Sequence, residues 1–339
     1  MNILTQALSV TLLGMSFGNA MAADAPDVKP DVRAFLDQLN AGTGKPMEQL
    51  SPKDARAVLA DAQASVKLDL PKVDVAQKTI TESGKKISLT IVRPAGVQET
   101  LPVFMFFHGG GWVIGDFPTH ERFVADLVVG SGAVAVFVNY ARSPEAHYPV
   151  AINQAYAATK WVAEHGKEIN VDGKRLAVAG SSVGGNMATV VSMMARDKGT
   201  PAIRYQVLFW PVTDAHFDTA SYNQFGEGHF LTRNMMKWFW DSYTTDAKQR
   251  QEIYASPLLA TTAQLKGLPP ALVQTAEFDV LRDEGEAYAR KLDAAGVNVT
   301  AVRYNGMIHD FGLLNALSQI PETRSALLQA SEELKKHLK

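Results

Sequence analysis

The sequence predicts an α/β domain built on a mostly parallel β-sheet with helices covering both faces. Three observations carry that prediction. From Leu101 onward, short apolar runs of strand length alternate with longer stretches of helical periodicity. The run Leu101-Pro-Val-Phe-Met-Phe-Phe107 is continuously apolar, as a strand buried on both faces requires. A third signal is Gly180-Ser-Ser-Val-Gly-Gly185, which joins the apolar run Arg175–Gly180 to the helix-like run Asn186–Ala195.

The elements follow in chain order. Met1 to Ala22 has no charged side chain, with an apolar stretch from Ala7 to Met15 and the small-residue pattern Ala20-Met21-Ala22 ahead of Ala23. That pattern reads as a secretory signal peptide cleaved after Ala22, although the n-region lacks Lys and Arg. The apolar stretch is too short to span a membrane, and no later segment reaches that length without charges. Val32, Phe35, Leu36 and Leu39 then recur at helical spacing up to Gly42. Ser51-Pro52 supplies an N-cap and a first-turn proline for a second helix carrying Ala55, Val58, Leu59 and Ala62. Strands are expected at Val73–Thr81, Ile87–Arg93, Leu101–Phe107, Ala133–Val138, Leu176–Ala179, Tyr205–Trp210, Ala271–Ala276 and Val297–Tyr304. Helices are expected at Pro149–Glu168, Gly185–Arg196, Asp283–Ala295 and Leu313–Leu338.

One interval breaks the rhythm. Thr213 to Ser256 has no strand core and is rich in aromatic residues, among them Phe217, Tyr222, Phe225, Phe230, Trp238, Phe239, Trp240 and Tyr243. It reads as an insertion that, with the early helices, roofs the C-terminal ends of the strands. The expected organisation is a signal peptide at 1–22, an N-terminal helical cap segment at 23–72, a catalytic core at 73–212 and 257–339, and a cap insertion at 213–256.

Composition narrows the function. The 339 residues include 33 basic and 35 acidic side chains for a net charge of −2, which gives no electrostatic footprint for nucleic acid. Cysteine is absent, which removes thiol catalysis, disulfides and cysteine-based metal sites. No H-E-x-x-H metal motif occurs, and Gly42-Thr-Gly-Lys45 lacks the spacing of a phosphate-binding loop. No cofactor or metal is implied, and oligomeric state is not legible.

The chemistry centres on Ser182. Glycines at −2 and +2 around a serine, at a strand-to-helix joint, form a nucleophile elbow, where side chains at 180 and 184 would collide with neighbouring strand and helix. A serine hydroxyl needs a base to take its proton and a carboxylate to orient that base. Of the eight histidines, His309 lies late in the chain, just after the last expected strand, where it can reach back over the sheet. His337 sits at the end of the terminal helix. Glu277, Asp279, Asp283 and Glu284 compete for the acid. Asp279 stands on the loop leaving a strand, where open-sheet sites are built, and is preferred, with Asp283 next. Asp283 and Glu284 are read as first-turn acids complementing a helix dipole. The oxyanion of a tetrahedral intermediate needs N–H donors. Val183 N–H, directly after the nucleophile, is one, and the loop His108-Gly-Gly-Gly-Trp112 after an apolar strand supplies others. His108 itself is read as holding that loop.

Taken together, His108-Gly-Gly-Gly-Trp-Val-Ile-Gly-Asp116, Tyr140-Ala-Arg-Ser-Pro-Glu145, Tyr148-Pro149, Gly180–Asn186, Phe239-Trp-Asp241, Ser256-Pro-Leu258, Asp279-Val-Leu-Arg-Asp-Glu-Gly285 and His309-Asp-Phe311 resemble the hormone-sensitive-lipase-like carboxylesterases, bacterial family IV of the α/β-hydrolases. The resemblance runs from Val73 to the C-terminus. It implies an eight-stranded, mostly parallel sheet, a helical cap and hydrolysis of short-to-medium acyl esters. It also implies Ser182 as nucleophile, Asp279 as orienting acid, His309 as base, and Gly110 and Gly111 as oxyanion donors beside Val183. The family usually has Asp, Glu or Thr before the nucleophile and Ala after it; this chain has Ser181 and Val183. The same machinery could serve acetylated sugars, lactones or arylamides. A non-catalytic binding role requires loss of a triad residue, and Ser182, Asp279 and His309 are all present.

Overall fold

The structure is a computed structural model that describes residues 27–42, 44–82 and 84–339. The expected signal peptide, Met1 to Ala22, lies outside the described residues. The strands are β1 (Val73–Glu82), β2 (Lys85–Pro94), β3 (Leu101–Phe107), β4 (Val134–Asn139), β5 (Val171–Ser181), β6 (Gln206–Phe209), β7 (Ala271–Phe278) and β8 (Val299–Ile308). They form one eight-stranded sheet in the order β1-β2-β4-β3-β5-β6-β7-β8. β1 pairs β2 and β2 pairs β4 antiparallel, and every later pairing is parallel. The order turns back on itself at β3, so β5 leaves from the centre of the sheet, the place where open α/β sheets build their sites.

The helices are α1 (Pro30–Asn40), α2 (Pro52–Ala64), α3 (Phe117–Ser131), α4 (Val150–His165), α5 (Val183–Lys198), α6 (Ala220–Phe225), α7 (Arg233–Tyr243), α8 (Ala247–Arg250), α9 (Thr262–Leu265), α10 (Arg282–Ala294) and α11 (Pro321–His337). Strand alternation divides the core between the two faces. On β3, Val103, Met105 and Phe107 join the layer under α4, α5 and α10, whereas Phe104 and Phe106 join the layer under α3 and α11. All five side chains are fully buried, and truncating any of them to Ala would cost about 2–5 kcal/mol.

Two helical stretches outside the insertion differ most from the sequence expectation. α3 was not expected, yet its start is locally encoded: Asp116 accepts from Thr119 N–H, Thr119 answers with its hydroxyl, and Pro118 sits in the first turn. Gly132 ends it in a left-handed C-cap, φ 71°. The helix expected over Leu313–Leu338 is interrupted. Leu313, Leu314 and Leu317 belong to a loop and a 3-10 turn, Asn315–Leu317, and α11 starts at Pro321, whose missing N–H costs nothing in a first turn.

Candidate active site

The tight joint between β5 and α5 places Ser182. Its backbone has φ 56° and ψ −120°, a conformation costing of order 1–3 kcal/mol, so its surroundings must enforce it. They do. A Cβ at Gly180 would run into the Gly184 carbonyl, and one at Gly184 into the Phe107 carbonyl of β3. Ser182 N–H donates to Phe209 O at 2.9 Å, and Ser182 O accepts from Val212 N–H at 3.1 Å, tying the elbow to the end of β6.

β8 runs through to Ile308, longer than expected, and delivers His309 directly from its end; β7 likewise ends at Phe278 and delivers Asp279. The strand ends meet. His309 Nε2 lies 3.1 Å from Ser182 Oγ, and His309 Nδ1 lies 2.7 Å from Asp279 Oδ2. Asp279 Oδ1 accepts Leu281 N–H at 2.9 Å, which locks the carboxylate in the plane facing the imidazole. All three side chains are buried. Burial alone would lower the His309 pKa, but the charges of Asp279 and Asp310 and the Asp279 hydrogen bond outweigh it, and the net shift is upward. An imidazole so placed can take the Ser182 proton and keep the resulting charge next to a carboxylate.

The glycine loop lies opposite. Gly110 and Gly111 both have positive φ, 93° and 61°, and the Gly110 carbonyl accepts from Val113 and Ile114 N–H. A Cβ on Gly111 would penetrate the ring of Phe239, so α7 packs directly on this loop. Val183 opens α5, where a first-turn N–H has no helical acceptor. Gly110, Gly111, Ser182 and His309 line one pocket of about 120 Å³. Its walls are Phe35, Leu39, Val58, Leu59, Phe239 and other apolar side chains from α1, α2, α7 and the loop after His309, with Gln63 and Asp310 as polar additions. A larger open cleft of about 460 Å³ beside α10 and β8 contains none of these groups.

Sequence reasoning read one acid only in part and missed several neighbours. Glu284 stands in the first turn of α10, as expected, but it does more than complement the helix dipole. It is buried, its carboxylate accepts Thr213 N–H at 2.6 Å and Asp214 N–H at 3.2 Å, and burial pushes its pKa well above the carboxylate range. Asp283 accepts from Ser221 N–H at 2.7 Å and pairs with Arg282, facing the inserted segment and not His309. Asp310 is buried with φ 58°; its Oδ1 accepts Trp210 Nε1–H at 2.6 Å and its Oδ2 lies 3.7 Å from His309 Nε2. Gln63 of α2 donates to Thr119 O and Leu313 O and accepts from Asn315 N–H, bracing the loop that follows His309. Arg122 of α3 donates to Gly312 O and Leu313 O of the same loop.

Comparison with known proteins gives the same outline. A family model described as alpha/beta hydrolase fold matches residues 104–313. The crystal structure of a thermostable esterase from Pseudomonas putida superposes with a TM-score of 0.92 at 71% identity, covering 94% of this chain and 99% of that one. A carboxylesterase from Mycobacterium tuberculosis is 34% identical over 323 residues, 92% of this chain and 97% of that protein. An ethyl acetate hydrolase from Pseudomonas putida is 33% identical over 320 residues, 92% of this chain and 99% of that protein.

Proposed function

The chain belongs to the hormone-sensitive-lipase-like α/β hydrolases and is a carboxylic-ester hydrolase; from that premise we propose that it cleaves short-chain acyl esters with Ser182 as nucleophile, His309 as general base and acid, and Asp279 as the orienting carboxylate. The observation that carries this reading is the continuous chain of contacts from Asp279 through His309 to Ser182, 2.7 and 3.1 Å, at the floor of an apolar pocket.

The chemistry follows. Ser182 Oγ attacks the ester carbonyl while His309 Nε2 accepts its proton, and Asp279 stabilises the imidazolium. The carbonyl oxygen becomes an oxyanion facing the N–H groups of Gly110, Gly111 and Val183. The alcohol leaves with the proton returned by His309. Water, deprotonated by the same imidazole, then hydrolyses the acyl-enzyme. The roof over this site is drawn from α1 and α2 on one side and from Phe230, Leu231, Met235 and Phe239 of the inserted segment on the other.

Pocket size and lining support a short, uncharged acyl group. A cavity of about 150 Å³ holds one benzene, and this pocket is about 120 Å³. Acetylated sugars are disfavoured, because a wall with few polar side chains leaves hydroxyls unpaired at about 1–3 kcal/mol each. We also read the protein as exported, on the strength of Ala20-Met21-Ala22; a native protein that keeps Met1 on mass spectrometry refutes that reading.

The deciding experiment is a fluorophosphonate label on the purified protein, with Ser182→Ala as its partner. The label is expected on Ser182, and the variant is expected to fold normally while losing about 10⁴-fold or more in kcat. A label on another serine, or near-native turnover in the folded variant, overturns the assignment.

A further inference from the structure

Glycines let backbone N–H groups approach a reacting carbonyl, but they also leave φ and ψ soft, so a loop of three glycines does not hold an N–H in place unaided. Something else must fix the peptide planes of His108-Gly109-Gly110-Gly111. Each plane has a C=O at one side and an N–H at the other, pointing in opposite directions. In the His108–Gly109 plane, the C=O accepts from Tyr140 Oη at 2.9 Å, and the Gly109 N–H donates to His120 Nε2 at 3.3 Å. In the Gly109–Gly110 plane, His108 Nδ1 donates to the C=O at 2.8 Å, which turns the Gly110 N–H the other way. In the Gly110–Gly111 plane, Val113 and Ile114 N–H hold the C=O at 3.0 and 2.8 Å, which turns the Gly111 N–H likewise.

We propose that His120, outside the pocket and untouched by substrate, is a positioning residue for the oxyanion loop: its unprotonated Nε2 holds the Gly109 N–H and so fixes the His108–Gly109 plane, the base from which the next plane, held by His108 Nδ1, presents the Gly110 N–H. The inference rests on the reading of Gly110, Gly111 and Val183 as oxyanion donors. Its partners settle the tautomer. Gly109 N–H can only donate, so Nε2 is bare; Asp116 O can only accept, at 3.1 Å from Nδ1, so Nδ1 carries the proton. Thr119 Oγ1, 3.0 Å from Nδ1, already donates to Asp116 O and serves as a second acceptor. The ring is fully buried, between Phe106, Phe137 and His108. Burial, only partly offset by the Asp116 carbonyl and carboxylate, lowers its pKa to about 4, so it is neutral where the enzyme's base is active. No flexible side chain could do this alone: α3 fixes His120, its N-cap residue Asp116 fixes the ring, and the ring fixes Gly109.

Two substitutions separate positioning from filling. His120→Asn keeps a donor near the Nδ1 position and loses the acceptor for Gly109; His120→Gln can present an oxygen near the Nε2 position. Both are compared with the native enzyme in steady-state hydrolysis of p-nitrophenyl acetate and in inhibition by a trifluoromethyl ketone, which forms an oxyanion on addition of a serine, against its methyl ketone analogue. The native enzyme is expected to favour the trifluoromethyl ketone strongly; no preference would overturn the oxyanion reading itself. His120→Asn is expected to lower kcat about 10–100-fold, and trifluoromethyl ketone affinity by the same factor, with KM within about twofold. His120→Gln is expected to recover most of the loss. A folded His120→Asn with unchanged kcat and ketone preference, or with a raised KM at full kcat, overturns the positioning role while leaving the oxyanion reading intact. Should the variants fail to fold, ¹⁵N NMR of the native ring decides: a bare, pyridine-type Nε2 supports the proposal, and an Nε2–H tautomer overturns it.

Discussion

Replacing Asp279 by Asn tests the acid assignment most severely, because the structure leaves the amide no comfortable orientation. Asp279 Oδ1 accepts Leu281 N–H at 2.9 Å and Oδ2 accepts from His309 Nδ1 at 2.7 Å, both in the buried interior. If the Asn oxygen keeps Leu281, its NH₂ faces His309 Nδ1, which must then give up its proton. The imidazole proton moves to Nε2, 3.1 Å from Ser182 Oγ, and the base can no longer accept the serine proton. If the amide flips, the NH₂ meets Leu281 N–H, and two buried donors face each other at a cost of about 1–3 kcal/mol. The cheaper state is the unreactive tautomer. In a serine protease the equivalent change lowers kcat about 10⁴-fold, close to 5 kcal/mol of barrier, and the same loss is expected here. Asp283→Asn is the control. It keeps an oxygen for Ser221 N–H and weakens only a partly exposed pair with Arg282, so about 0.3–1 kcal/mol of stability is at stake and turnover should stand. The assay is p-nitrophenyl acetate hydrolysis on both variants, with circular dichroism and thermal melts to establish folding. A folded Asp279→Asn enzyme within tenfold of native kcat would refute the reasoning, and an inactive Asp283→Asn would move the role.

Three further outcomes follow from the same geometry. With His309 as the proposed base, turnover needs its neutral form, and its pKa is raised, so the acid limb of kcat/KM is expected above the ordinary histidine value of about 6.5; Asp310→Asn removes one of the charges that raise it and should move the limb to lower pH, an upward shift being contrary. Glu284, whose pKa burial raises in the folded protein, contributes stability that is fully present below the ordinary carboxylate pKa and is lost as pH rises through its raised value. Glu284→Gln should therefore flatten the fall of Tm with rising pH; an unchanged slope would mean the carboxyl is ionised. In a series of p-nitrophenyl esters, each buried CH₂ gains about 0.8 kcal/mol until the pocket fills, so kcat/KM should peak between about two and six acyl carbons. A maximum beyond about ten carbons would show that the roof opens into a longer cleft than the 120 Å³ pocket.

What the sequence made legible was whatever is enforced locally. The β5–α5 elbow could be read because Gly180 and Gly184 are required by atoms a few residues away or on the adjacent strand. The strands that lead to Asp279 and His309 could be read because apolar runs mark strands and the chain order of a triad is fixed, but their ends could not: β7 runs on to Phe278 and β8 to Ile308. Local signals were also overlooked: the Asp116/Thr119 capping box and Gly132 bracket α3 plainly. Conversely, Leu313, Leu314 and Leu317 imitate helical spacing in a loop, since a buried loop under α1 and α2 needs apolar side chains as much as a helix does. Glu284 could be read only in part. Its meaning lies in Thr213 and Asp214, some seventy positions away, and a dipole argument confined to its own helix does not reach them. The same holds for Asp310, whose partner Trp210 stands 100 positions earlier.

These distant partners share a logic. A nucleophile elbow holds itself, because its strained backbone has no room to relax: the Phe107 and Gly184 carbonyls fill the space on either side. The other two parts of the proposed machinery are loops, and each is tied to structure beyond its own strand. The loop following His309 hangs on Gln63 from α2 and Arg122 from α3, which between them hold Gly312, Leu313 and Asn315. The glycine loop hangs on His120 from α3, on Tyr140, and on Phe239 from α7, whose ring occupies the space a Gly111 side chain would take. Helix α3 therefore serves both loops, and α2 and α7 serve the machinery as well as walling the pocket. A substitution in either of these wall helices should be felt in kcat as well as in KM, because under the proposed assignment the surfaces that wall the acyl pocket are the same surfaces that aim Ser182, His309 and the glycine loop.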